Sequence, residues 1–134
     1  MNKTLFEILY IGLGGFTGAI ARYYSYPLIG KFFNLQRFPF GTFIINMIGC
    51  FFIGIIVQLL SSLLKSNEIV KAFFILGFLG SYTTFSTFAY ETYKLLEDGR
   101  IIASFANIFF QALIGIIGVW LGILLTKFFV MQTP

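Results

Sequence analysis

The sequence predicts an all-α integral membrane protein built from four transmembrane helices, and three observations carry that prediction. Of the 134 residues 58% are hydrophobic, and the mean hydropathy is +0.92. Only nine Lys and Arg and five Asp and Glu are present, too few to clothe a water-soluble surface. Four apolar runs, 4–26, 39–64, 69–95 and 101–129, each reach the roughly 20 residues that cross a bilayer. The chain between them is short and leaves no room for an extramembrane domain, so 1–134 reads as a single transmembrane domain.

In span 1, Lys3, an apolar run and Ala19-Ile20-Ala21 loosely mimic a cleaved leader. Arg22 follows directly and three further spans come after it, so a retained helix is the expectation. Gly14 and Gly18 form a small-xxx-small pair that lets another helix approach closely. Glu7 falls near one interface. Arg22 falls near the other, where interfacial anchoring and the attraction of anions into a vestibule are both open to it. The connection from Tyr26-Pro27 to Phe38-Pro39 is the one stretch between spans with room for a small interfacial turn or helix.

Span 2 carries Asn46 deep in the run Phe40–Gly49, with Thr42 one turn away on the same face. The Asn46 amide can donate two hydrogen bonds. Intramembrane polar residues glue helices together or line cavities. Gln58, on another face, reads as glue between helices.

Span 3 holds the most informative stretch, Gly77-Phe78-Leu79-Gly80-Ser81-Tyr82-Thr83-Thr84-Phe85-Ser86-Thr87-Phe88. Six of the seven residues from Ser81 to Thr87 carry a hydroxyl, which a lipid-facing helix does not need. Two readings stand side by side. A break around Gly80 to Thr83 would free backbone carbonyls near mid-membrane, where they can coordinate a monovalent cation. A continuous helix would instead have its Ser and Thr bonding back one turn. Phe85 and Phe88, three apart, share a face, and aromatic ring edges carry positive potential that favours a small anion. With nineteen phenylalanines in the chain, packing is the commoner role for each. Glu91 follows Thr87 by one turn and can accept from a hydroxyl there.

Span 4 offers a polar stripe, Ser104, Asn107 and Gln111, and a second small-xxx-small pair, Gly118 and Gly122. With four spans, Lys3, Lys65, Lys71 and Lys127 share one side of the membrane, and Arg22, Lys31, Arg37, Lys94 and Arg100 the other. Orientation follows the excess of Lys and Arg, and here the sides nearly tie. A balanced chain can insert both ways round and pair as an antiparallel homodimer; the alternative is that one topology wins, and four short spans make a homo-oligomer the expectation on either reading.

The exclusions are firm. Without histidine, and with Cys50 as the one cysteine, there is no catalytic triad and no zinc motif. No pair of carboxylates is placed for acid–base work, so an enzyme is not expected. The basic residues form no stripe, which argues against nucleic acid as a partner; lipid is the expected surroundings.

Taken together, the chain resembles the Fluc (CrcB) family of small fluoride channels over nearly its whole length. The resemblance rests on Gly14-Gly15-Phe16-Thr17-Gly18-Ala19-Ile20-Ala21-Arg22-Tyr23 in span 1 and on Gly41-Thr42-Phe43-Ile44-Ile45-Asn46-Met47-Ile48-Gly49-Cys50-Phe51 in span 2. The span 3 stretch quoted above completes it. The resemblance implies an antiparallel, dual-topology homodimer with two fluoride pathways in the cell (inner) membrane, and a broken third helix. It implies a structural sodium ion (Na+) at the dimer centre, held by the backbone carbonyls of Gly80 and Thr83. It also implies that Phe85, Phe88 and Asn46 line the pore, that Arg22 sits in the vestibule, and that Thr42, Ser86, Thr87 and Glu91 form the polar track. Where the family leads one to expect hydroxyls along the pathway in span 4, this chain has amides, and Asn107 and Gln111 take those pathway places. The implied activity is passive export of cytoplasmic fluoride, conferring fluoride resistance. Two rivals are a small multidrug-type proton antiporter, which needs a mid-span carboxylate, and a non-transporting scaffold, which has no use for the hydroxyl cluster.

Overall fold

The computed structural model describes residues 3–35, 37–63 and 67–131. Among them every regular element is helical: α1 (Lys3–Gly30), α2 (Phe40–Ser62), α3 (Glu68–Val70), a wide-turned segment (Lys71–Leu79), α4 (Gly80–Tyr82), α5 (Phe85–Glu97) and α6 (Ile101–Met131). Four stretches are long and apolar enough to cross a membrane: Lys3–Gly30, Phe40–Ser62, Glu68–Glu97 and Ile101–Val130. Leu64 and Lys65, the expected end of span 2 and one of the counted charges, lie outside the described residues.

The first helix runs past its expected end at Tyr26. Pro27 lies inside it, because a proline costs a helix one backbone bond and membrane helices tolerate that loss. The remaining connection is a turn whose aromatic rings, Phe33, Phe38 and Phe40, cluster with centroids 4.9–5.1 Å apart. Arg100 donates from Nη2 to the Arg37 carbonyl, tying this connection to the α5–α6 turn on the same side of the bundle. That second turn is closed by Gly99 at φ 72°, with the Arg100 amide on the Leu95 carbonyl (2.8 Å) and the Gly99 amide on that of Leu96 (3.0 Å). A left-handed glycine just past the helix end satisfies the last carbonyls in this way. At the start of the third stretch Asn67 caps the helix, its Oδ1 accepting from the Ile69 and Val70 amides.

Two helix pairs dominate the packing, α2 with α6 and α1 with the Lys71–Leu79 segment. Both depend on glycine for close approach. Gly14 and Gly18 face the backbone carbonyls of Phe73 and Phe78, and a methyl on Gly77 would lie 2.7 Å from the Ile11 carbonyl oxygen. In the other pair Gly54 faces the Val119 carbonyl and Gly122 that of Phe51. Between lipid-soluble helices such van der Waals contact replaces the hydrophobic drive available in water. Over Lys71–Leu79 the helix is wound wider than an α-helix, and the Gly80 amide reaches back to the Ile75 carbonyl five residues earlier. Inserted turns of this type collect at functional sites.

A candidate site at an interrupted helix

The helical path of the third stretch stops at Tyr82 and restarts at Phe85, at the middle of the 30 residues Glu68–Glu97. Thr83 is extended (φ −81°, ψ 163°) and so is Thr84 (φ −151°, ψ 116°). Up to that point the chain obeys helical habit: the Thr83 amide and its Oγ1 both reach the Leu79 carbonyl, at 3.0 and 2.8 Å. Gly49 of α2 leaves the space that the Thr83 methyl occupies. Both sequence readings of the cluster therefore have a local counterpart, a hydroxyl bonding back one turn and, immediately after it, extended backbone.

Asn46 holds the extended residue. Its Oδ1 accepts from the Thr84 amide (2.9 Å) and its Nδ2 donates to the Thr84 carbonyl (3.2 Å), the paired contact a neighbouring strand would make. In a continuous helix the Thr84 amide would close onto the Gly80 carbonyl, so Asn46 deprives Gly80 of that bond. The second Nδ2 hydrogen of Asn46 goes to Gln111 Oε1 (2.9 Å). Gln111 Nε2 is buried and meets no acceptor among the described residues. Thr84 also caps α5, its Oγ1 accepting from the Thr87 amide (3.2 Å) and donating to the Thr87 hydroxyl (2.9 Å), with Ser86 Oγ at 3.4 Å.

Asn46, Gln111, Gly80, Thr83, Phe85 and Phe88 face one groove of about 500 Å³, whose lining includes no charged residue. The Phe85 and Phe88 rings lie 5.7 Å apart at 53°, and Phe85 is 79% exposed. On the other side of Thr84 opens a vestibule of about 800 Å³, lined by Arg22, Tyr23, Tyr24, Tyr26, Thr84 and Thr87 among others. Thr84 borders both spaces. Arg22 reaches inward from that vestibule, its Nη1 donating to the Thr83 carbonyl at 3.3 Å.

Thr42 and Glu91 stand apart from the groove and share a partner that sequence reasoning missed. Tyr26 Oη bonds both the Thr42 hydroxyl and Glu91 Oε1, the latter at 3.0 Å. The hydroxyl that meets Glu91 is thus Tyr26's and not Thr87's. No local signal marks Tyr26, because its partners lie 16 and 65 residues away. Its ring lies over Gly41, where an added methyl would come within 2.6 Å of it.

The span 4 stripe divides. Gln111 joins the groove, whereas Asn107 and Ser104 are sealed against α5. Asn107 Nδ2 donates to Thr92 Oγ1 (2.8 Å), Thr92 Oγ1 donates to the Phe88 carbonyl (2.7 Å), and Ser104 Oγ donates to the Thr92 carbonyl (3.0 Å). Asn107 is 0% exposed. Gln58 bonds Ser62 on its own helix instead of gluing two helices together. Among the described residues no three His, Cys, Asp or Glu side chains gather as a metal site.

Residues 9–123 match the family described as CrcB-like protein, Camphor Resistance (CrcB). A relative from Geotalea uraniireducens (strain Rf4), named fluoride-specific ion channel FluC, is 41% identical over 121 residues, covering 90% of this chain and 96% of the relative. A protein of the same name from Ruminiclostridium cellulolyticum is 40% identical over 125 residues, covering 93% and 95%. Another so named, from Campylobacter fetus subsp. fetus, is 40% identical over 120 residues, covering 90% and 93%. With a family match over most of its length and relatives this similar end to end, the chain belongs to the CrcB family.

Proposed function

We propose that this protein is a fluoride-selective channel that lets cytoplasmic fluoride leave the cell passively across the cell membrane. The observation that carries the reading is the uncharged mid-span groove at Thr83–Thr84, lined by amides and two phenylalanines, in a chain about 40% identical to proteins named as fluoride channels. Fluoride is small and strongly hydrated, so a pore must replace its water with hydrogen-bond donors while holding it weakly enough to release. The Gln111 Nε2 donors and the Phe85 and Phe88 ring edges supply attraction without a fixed positive charge, and Arg22 draws anions into the vestibule. Ser86 and Thr87 add hydroxyls beside Thr84. Larger halides would be solvated poorly by so few donors.

Polar groups at the middle of a span do not face lipid, so a second copy is the natural cover for the groove. The near-tie of Lys and Arg between the two sides favours an antiparallel pair. In such a pair the extended residues become the breaks of two third helices that meet at the centre. The carbonyls of Gly80 and Thr83 from each copy then offer the hard oxygen ligands a sodium ion takes. The fit is direct for Gly80, whose carbonyl has lost the Thr84 amide to Asn46. At Thr83 one lone pair already receives Arg22 and the other stays available. When bound, the ion supplies positive charge that holds the freed carbonyls of two chains together.

The small multidrug-type antiporter is disfavoured on the same geometry. That chemistry needs a carboxylate facing the substrate space, and neither Glu91 nor Glu7 borders the groove. The test is ion-selective-electrode efflux from proteoliposomes loaded with fluoride or with chloride. Rapid fluoride release with chloride retained is the expected result; no fluoride release, or equal chloride release, contradicts the reading.

A further inference from the structure

We propose that the Tyr26 hydroxyl is a donor of the anion pathway, held between fluoride and Glu91 so that carboxylate and anion compete for its one hydrogen. The proposal rests on the fluoride-channel reading and extends it to a residue of the first helix. Tyrosine has one hydroxyl hydrogen and a carboxylate only accepts. The hydrogen of Tyr26 therefore goes to Glu91 Oε1 (3.0 Å), and the Thr42 hydroxyl must donate to Tyr26 Oη. The two hydroxyls thus form a chain, Thr42 donating to Tyr26 and Tyr26 to Glu91, with one hydrogen on the carboxylate.

Position makes this more than a tie between helices. Tyr26 lines the vestibule that also holds Arg22, Thr84 and Thr87. Glu91 lines a smaller cavity of about 150 Å³ with Lys94, Asp98 and Arg100, next to the α5–α6 turn. The Tyr26–Glu91 hydrogen bond therefore joins a residue lining one space to a residue lining the other. Glu91 Oε2, moreover, is buried and accepts no hydrogen bond from the described residues. A carboxylate with one oxygen unsatisfied is a strong rival for any nearby donor.

An anion crossing from one space to the other meets the Tyr26 hydroxyl as its donor, with the fully buried Thr42 hydroxyl donating to Tyr26 Oη behind it. Rotation of the Tyr26 O–H from Oε1 to the anion breaks one hydrogen bond and makes another, and no proton changes owner. The carboxylate then reclaims the hydroxyl as the anion moves on. Conduction needs binding strong enough to admit an ion and weak enough to release it; here the competing carboxylate sets that balance.

The test measures initial fluoride efflux from proteoliposomes of the full-length protein against internal fluoride concentration. Tyr26→Phe keeps the ring over Gly41 and removes only the hydroxyl; it should raise the half-saturating fluoride concentration several-fold. Glu91→Gln removes the rival charge and should lower both the half-saturating concentration and the maximal rate. A purely structural role changes the fraction of vesicles that empty but leaves half-saturation where it was. Thr42→Val, which deletes the other hydroxyl of the series, should shift half-saturation in the same direction as Tyr26→Phe and serves if that variant does not assemble. A conducting wild type whose half-saturation is unmoved by the hydroxyl deletions overturns this proposal alone. A wild type that releases no fluoride overturns it together with the channel reading.

Discussion

Asn46 does at mid-membrane what water does for a loop in a soluble protein. A backbone that leaves its helix within hydrocarbon strands amides and carbonyls, each costing several kcal/mol without a partner. Asn46 satisfies both groups of Thr84, and Thr84 in turn caps α5. The family resemblance implies a place for Asn46 in the anion path, and its depth in span 2 is legible from residue order alone. Its use of both amide hydrogens, on Thr84 and Gln111, is not, because those partners lie 38 and 65 residues away. Asn107 shows the complementary case. A stripe at i, i+3, i+7 places three side chains on one face, but that face is wide enough for Ser104 and Asn107 to turn to Thr92 while Gln111 turns to Asn46. Thr92 is the hub of the buried set, so Thr92→Val strands the Asn107 amide. We expect a loss of about 1–3 kcal/mol in stability, read by thermal or denaturant unfolding in detergent, with fluoride selectivity over chloride retained.

At the scale of elements, the four apolar stretches and the glycine pairs could be read directly, because hydropathy and small-residue spacing are local properties. Gly14, Gly18 and Gly122 sit where helices press closest, while Gly118 meets Cys50 only at an ordinary 3.6 Å. Gly77, which opens the span 3 stretch, and Gly54 are the other halves of those contacts. α1 continues to Gly30, past residue 26, because a membrane helix tolerates Pro27. The wide winding of Lys71–Leu79 has no sequence signature that would have announced it. Since a methyl on Gly77 would meet the Ile11 carbonyl at 2.7 Å, Gly77→Val should drive α1 away from the third stretch. Overpacking of this kind costs about 1–3 kcal/mol or more. The expected outcome is a lower unfolding temperature and loss of the assembled species on size-exclusion chromatography, whereas Gly12→Val, at a position with open space around it, should behave as wild type.

For the whole molecule, the near-equality of basic residues on the two sides argues for insertion in both orientations, and the polar side chains of Asn46, Thr83, Thr84 and Gln111 along the mid-span groove argue for a second copy over it. A single cysteine placed at Phe32, in the exposed α1–α2 connection, in a Cys50→Ala background reports orientation. An impermeant maleimide added outside intact cells should label about half of the copies if orientation is balanced. Labelling of nearly all copies, or of none, contradicts the antiparallel pair and leaves the fold of each chain unaffected. The central claim concerns the groove itself, and the most direct measurement is fluoride efflux from proteoliposomes of wild type beside Phe85→Ile and Asn46→Asp. Phe85→Ile stays large and apolar but removes the positive ring edge; Asn46→Asp turns a donor into a negative charge and removes both Nδ2 bonds, to the Thr84 carbonyl and to Gln111. Both dimers should assemble and both should release fluoride at least about tenfold more slowly, a barrier increase of about 1.4 kcal/mol. Wild-type efflux through both variants would contradict the assignment of this groove as the path.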